Sequence, residues 1–254
     1  SRVIQSAQIR RHDRVLDANA GKGLLLWEAF RLAKEGCIWG LANDPADCEI
    51  LIHYASRFRE EERPVIVQSD IASFVVPEEQ RGLYFDVIIG RNLFTRRDDR
   101  DAVCRKLFDL LDTGGRLSLA EIVPSSSQRL SSFFPEMSLL PEELAAWKRA
   151  EERVYSNSDN PLVNWDEHTI EELLRLSGFS SVSSFSVPYR EKRKPGEREC
   201  SAWFDVEKGG YGSLVRAEVG EKLFSKGKSL VTERICNAEV DWLSTIAFIS
   251  ARKG

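Results

Sequence analysis

Along the first half of the chain, short apolar runs and helical repeats follow one another in regular succession. Arg14 to Asp17 is a brief apolar run closed by an acid. After a turn of small residues, Leu24 to Lys34 repeats its apolar positions at helical spacing, with Gly36 as a stop. Cys37 to Ala42 predicts a second strand, and Ala46 to Glu60 a second helix. Pro64 to Gln68 is β-branched and leads into Ser69-Asp70-Ile71. Phe85 to Gly90 precedes Arg91-Asn92 and a charged helix from about Arg97 to Leu111. Asp112-Thr113-Gly114-Gly115 marks a turn, and Arg116 to Ile122 alternates into a fifth strand. Strands and helices alternating in this way imply a parallel sheet with right-handed crossovers.

The second half is less regular. Residues 124–165 hold three successive serines (Ser125 to Ser127), the pair Phe133-Phe134, and a helix expected from Pro141 to Val154. This reads as an insertion over the carboxyl edge of the sheet, where open α/β folds bind ligands. Asp166 is expected to cap a helix through Leu176 that Gly178 ends, and Ser181 to Val187 forms a sixth strand. A charged connector (Tyr189 to Gly196), a glycine-rich turn (Gly209, Gly210, Gly212) and a helical stretch to about Ser225 form a second insertion over 189–240. Trp242 to Ala251 closes the chain as a buried strand, and residues 1–254 read as a single domain.

With 42% hydrophobic and 30% charged residues among 254, the chain suits a large α/β domain and not a disordered one. A net charge of -4 gives no general attraction to nucleic acid or to acidic membranes, so nucleic acid stays open only as a locally bound partner. The basic residues Arg190, Lys192, Arg193 and Lys194 alternate with Glu191, Glu197 and Glu199 and read as a solvated loop. Cys37, Cys48, Cys104, Cys200 and Cys236 stand singly, and His12, His53 and His168 lie far apart. A reducing compartment and no metal site are expected. No run approaches the roughly 18 to 20 apolar residues of a membrane span, so no membrane partner is expected and a cytoplasmic setting is the default. Only about a dozen residues precede the first strand, which leaves open that the sequence is a piece of a longer polypeptide.

A strand that stops at Asp17 and hands over to a glycine-bearing turn leaves amides free at a helix start, where a nucleotide-like ligand sits. In their order, these parts resemble the class I S-adenosylmethionine-dependent methyltransferases over nearly the whole chain. The first motif of that family is acid-x-Gly-x-Gly-x-Gly after a strand, and Asp17, Asn19, Gly21 and Gly23 occupy its places. Asn19 replaces one glycine and is expected to take the left-handed conformation that Asn tolerates. Leu110 to Arg116 is similar to the family's Leu-Leu-x-x-Gly-Gly element, and Leu173 to Phe179 to its helix ending Gly-Phe.

The resemblance implies an α/β fold, a doubly wound and mostly parallel seven-stranded sheet of the Rossmann-like methyltransferase kind. Helical insertions and an antiparallel last strand complete it. It implies S-adenosyl-L-methionine as cofactor, an unidentified methyl acceptor as partner, and a cofactor loop of Asp17, Ala18, Asn19, Gly21 and Gly23. Asp17 would organise that loop and the cofactor's ammonium. The family's ribose-binding acid falls at Ala42, so Asn43 or Asp44 would have to substitute, unless Asp44 only caps the next helix. Asp70 would accept from the adenine amino group with Ile71 against the ring, and Arg91 and Asn92 would border cofactor and acceptor. Asn92 and Glu121 are the candidate catalytic residues, with His168 behind them; strand-end and surface roles are the alternatives for Glu121 and His168.

A dinucleotide-binding oxidoreductase fits less well, because its third glycine would fall at Leu26. Neither the Asn/Asp-Pro-Pro-Tyr nor the Pro-Cys pattern of base methylation is present. Phe133, Phe134, Trp147 and Trp165 suit a core better than a stacking platform. Gly23 to Ala29 also resembles the methyltransferase-like region fused to a replication-associated recombination AAA+ ATPase. That resemblance gives the second hypothesis, a catalytically degenerate cofactor-binding or interaction module.

Overall fold

The computed structural model describes residues 1–95, 97–157, 159–161, 163–207 and 210–254. Gly209 of the expected glycine-rich turn lies outside them. Seven strands form one sheet: β1 (Arg14–Asp17), β2 (Cys37–Ala42), β3 (Val65–Gln68), β4 (Phe85–Arg91), β5 (Leu111–Ile122), β6 (Phe179–Arg193) and β7 (Val240–Lys253). Their spatial order is β3-β2-β1-β4-β5-β7-β6. The pairs β1·β2, β1·β4, β2·β3 and β4·β5 are parallel, and β7 runs antiparallel to β5 with Ile122 opposite Ile246. The chain winds outward from β1 to β3 on one side and from β4 onward on the other, so the order reverses between β1 and β4. In an open α/β sheet that reversal leaves a crevice at the carboxyl ends of the strands.

Two compact units make up the chain. The first comprises Ser1–Ile122, Asp166–Val187 and Ile246–Gly254, the second Val123–Trp165 and Pro188–Thr245. The core of the first joins Val15, Val87 and Ile89 of the central strands to helices α1 (Arg2–Ala7), α2 (Leu24–Leu32) and α3 (Pro45–Ala55) through Val3, Ile4, Leu25, Leu26 and Leu51. Apolar centres in these strands are what burial on both faces of a parallel sheet demands. Helices α4 (Arg100–Leu110) and α6 (Glu167–Leu176) complete this unit. As expected, Asp166 caps α6, accepting the Thr169 amide at 2.9 Å, and Gly178 follows its end at φ 102°.

The second unit has its own core. Trp147 and Val154 of α5 (Pro141–Tyr155) meet Cys200 of α7 (Glu197–Trp203), Val215 of α8 (Tyr211–Val219) and Phe224 and Val231 of α9 (Glu221–Ile235). Phe133 stacks on Trp242, Phe134 meets Trp147 edge-on, and Trp147 and Trp165 are buried, so these four aromatics of the first insertion pack in or against the core.

Several boundaries differ from the sequence reading. Helix α3 stops at Ala55 because the Arg63 guanidinium takes the carbonyls of Phe58 and Ser56, and Glu60–Glu62 is a separate 3-10 turn. Strand β6 runs on to Arg193 through most of the expected connector, where Lys192 pairs with Asp241 and Arg193 lies over Trp242. Gly220, at φ 78°, breaks the expected helical stretch into α8 and α9. Helix α4 begins at Arg100, which leaves Arg97 in the preceding loop. Among the described residues no helix is long and apolar enough to cross a membrane, and no group of His, Cys, Asp and Glu is placed to hold a metal.

Candidate active site

Past Asp17 the backbone leaves β1 but stays tied to both neighbouring strands. The Ala18 amide donates to the Ile89 carbonyl of β4 and the Ala20 amide to the Leu41 carbonyl of β2, each at 2.8 Å. These bonds draw the loop across the crevice where the strand order reverses. Gly21 (φ 49°) and Gly23 (φ 88°) adopt the left-handed region, and the Gly23 amide returns to the Ala20 carbonyl at 2.8 Å. A Cβ on Gly23 would come within 2.5 Å of Trp27 Nε1, so that glycine is required by packing, whereas a Cβ on Gly21 would meet nothing within 4 Å. Asn19 departs from expectation. It has no positive φ; its amide Nδ2 instead donates to the Arg91 carbonyl at 2.7 Å and ties the loop to the end of β4. Asn92, beyond β4, has left-handed backbone instead, at φ 54°.

Asp17 lies directly beneath the loop and is fully buried. Burial pushes its carboxyl up to about 7, against hydrogen bonds from the Asn19 and Leu26 amides and the charge of Arg91. Its Oδ2 is buried and has no hydrogen-bond partner. Such an orphaned acceptor costs stability.

Glu121, near the end of β5, is also fully buried. Its Oε1 accepts the Leu93 amide at 2.8 Å and its Oε2 the Phe94 amide at 3.2 Å, and burial raises its carboxyl to about 8. The Ile122 amide donates to Asn92 Oδ1 at 3.2 Å. Together these bonds pin the loop after β4 to β5. Glu121 has no open surface to offer an acceptor, and its carboxylate acts on the backbone of that loop. Arg91 is exposed, and so is His168 in the first turn of α6.

A cleft of about 110 Å³ opens between these strand ends, walled by Ala18 and Asn19 beyond β1, Asn43 beyond β2, Ser69, Asp70 and Ile71 beyond β3, and Asn92, Leu93, Thr95 and Arg97 beyond β4. The sequence-predicted residues Ala18, Asn19, Asn43, Asp70, Ile71 and Asn92 thus meet in one place. Asp17, Gly21, Gly23, Asp44, Arg91 and Glu121 are not in its walls. Asp44 instead caps α3, its Oδ1 accepting the Ala46 amide at 2.8 Å. Ala42, at the usual acid position, is wholly buried. A larger cavity of about 530 Å³ lies entirely in the second unit, between Arg129 and Glu152, and contains none of the predicted residues.

Sequence reasoning missed Ser69, Leu93, Thr95 and above all Arg97. The Arg97 guanidinium donates through Nη1 and Nη2 to both oxygens of Asp70, each at 2.9 Å, and through Nε and Nη2 to Asp99 at 2.7 and 2.9 Å. Burial pushes the Asp70 carboxyl up, but the Arg97 hydrogen bonds, the Ala72 amide and the Arg97 charge outweigh it and hold the group below the usual aspartate value. The only sequence signal for Arg97 was the run of arginines and aspartates from 96 to 101, which reads equally well as a charged helix start.

No protein-family model matches the chain, and no curated protein matches it. Solved structures do. YcgJ of Bacillus subtilis is 14% identical, with 98% of this chain aligned to 95% of that one at a TM-score of 0.57. The [4+2]-cyclase SpnF is 17% identical over 99% of this chain and 78% of its own, at 0.53. Coclaurine N-methyltransferase, solved with N-methylheliamine and SAH, is 15% identical over 98% and 70%, at 0.50. At such identities the likeness establishes the fold, which is the Rossmann-like methyltransferase fold.

Proposed function

We propose that the chain binds S-adenosylmethionine in the cleft between β1 and β4 and transfers its methyl group to an acceptor. The observation that carries this reading is the convergence of residues from four strand ends on one cleft at the reversal of strand order. The solved complex of coclaurine N-methyltransferase with SAH, on the same fold, supports it.

The donor set fits the cofactor. Asp70 is an acceptor for a purine amino group, and Ile71 is an apolar wall beside it. Asn43 stands where a ribose would need polar partners, the Ala18–Gly21 loop presents backbone that lacks a Cβ at Gly21, and Asp17, buried beneath, positions that loop through the Asn19 amide. When bound, the cofactor supplies a methyl group on a sulfonium, which an in-line nucleophile takes without prior proton transfer if it is already electron-rich. Asn19, Asn43, Ser69, Asn92 and Thr95 are neutral and Asp70 is paired with Arg97, so this cleft orients its ligand more than it moves protons. Glu121 contributes by fixing the Asn92–Phe94 backbone.

Calorimetric titration with S-adenosylmethionine and S-adenosylhomocysteine tests the reading. Saturable binding of both is expected, with Asp17→Asn weakening it. No detectable binding at millimolar ligand would leave the chain as an interaction module with a methyltransferase fold.

A further inference from the structure

Ligand pockets for molecules of cofactor size hold roughly 300 to 1,000 Å³, and the cleft described above holds about 110 Å³. What narrows it is visible in its walls. Arg97 enters beside Ile71 and Asp70, and its side chain is only 15% exposed, so it is seated in the cleft and does not trail in solvent. Both Asp70 oxygens are taken by the guanidinium, and Oδ1 accepts the Ala72 amide at 2.9 Å as well. A neutral purine amino group would have to replace a bidentate charged donor, the stronger of the two partners.

The second carboxylate explains how the exchange can happen. Asp99 stands at the N-cap of α4, where an aspartate ordinarily accepts an amide of the first helical turn, yet its side chain makes no capping bond and is turned onto Arg97. Arg97 therefore has a partner that it keeps when it lets go of Asp70.

We propose that Arg97 is a built-in competitor for the adenine end of the site: it occupies Asp70 in the closed state and retreats onto Asp99 when a purine-bearing ligand enters. The inference rests on the cofactor reading above and adds a regulation to it. The closed state withholds the acceptor, so observed affinity is the intrinsic affinity multiplied by the fraction of molecules in which Arg97 has withdrawn.

The test is calorimetry with S-adenosylhomocysteine on the wild-type chain, Arg97→Ala and Asp99→Asn, with urea unfolding as the check on folding. Arg97→Ala is expected to bind about tenfold more tightly, as for a site open in about a tenth of molecules. Asp99→Asn is expected to bind more weakly, because Arg97 loses its alternative partner. A purely structural role for the Arg97 cluster would move both variants in the same direction. Wild-type binding that Arg97→Ala leaves unchanged or weakens overturns the competitor and spares the cofactor site. Absence of binding by both at millimolar ligand overturns the two together. If Arg97→Ala fails to fold, Asp99→Asn decides, and unchanged or tighter binding overturns the proposal.

Discussion

The two ends of the central strands use charge in opposite ways. At the amino ends, every carboxylate named here has a guanidinium partner. Arg14 donates to Asp86 through Nε and Nη2 at 2.9 Å each and to Asp112 at 2.7 Å, and Arg116 pairs with Asp13 where both side chains are about nine-tenths buried. The Arg14 partners lie below the usual aspartate value, held there chiefly by their hydrogen bonds to Arg14. At the carboxyl ends, Asp17 and Glu121 are buried with backbone amides as their donors, and their carboxyls are raised. Asp70 is paired there, but with an arginine from a loop. One end is closed electrostatically and serves stability. The other keeps buried carboxyls whose hydrogen-bond donors are backbone amides and not a guanidinium, an arrangement that costs stability.

The strongest way to break this division is at the closed end. Arg116→Ala leaves Asp13 buried with its charge uncompensated and is expected to cost about 3 to 5 kcal/mol in urea unfolding, with affinity for S-adenosylhomocysteine unchanged in the folded fraction. Loss of binding without loss of stability would show that the amino end serves the site.

A smaller effect separates the ends by pH. Asp17 and Glu121 titrate near 7 and 8 in the folded chain, above their ordinary values of 3.8 and 4.5. The folded state therefore holds more protons than the unfolded one across that window, and stability from these groups falls as pH rises through it. Asp86 and Asp112 act in the opposite sense, and their contribution is lost as pH falls below about 4. Urea midpoints should decline as pH rises from about 5 to 8. The double variant Asp17→Asn, Glu121→Gln should flatten that decline, and an unchanged slope would remove these carboxyls as its source.

What was legible in the sequence follows the same division. The strands and most helices could be read because burial on both faces of the parallel sheet requires apolar runs, as in Cys37–Ala42 and Val87–Gly90. The resemblance of the segments after β1 and β3 to the family's motifs pointed to Asn19, Asp70 and Ile71, which the fold brings to one cleft. Contacts across the sequence could not be read. Arg97 lies 27 residues from Asp70, and nothing local says that it leaves the helix to reach back. Likewise the Glu121 pattern is that of a strand end, and only the fold shows that its oxygens are consumed by the Leu93 and Phe94 amides. Asn19 occupies a glycine's place in the motif, yet the structure uses its side-chain donor and not its backbone tolerance.

The smallest expected change in stability carries the sharpest information about the open end. Gly23 is a poor probe, since a Cβ there strikes Trp27 and Leu51 and would damage the fold itself. Gly21 has the left-handed backbone but open space around a Cβ, so Gly21→Ala should cost only the conformational strain of an L-residue there, about 1 to 2 kcal/mol. If the loop is shaped to let a ligand approach its backbone, that same methyl group lies in the ligand's way. Affinity for S-adenosylhomocysteine should then fall by much more than the stability loss accounts for, at a ligand concentration and temperature where the variant is fully folded. Equal affinity in calorimetry would mean that Gly21 serves only the turn, and the cofactor would have to approach from the Asn19–Asn43 side of the cleft.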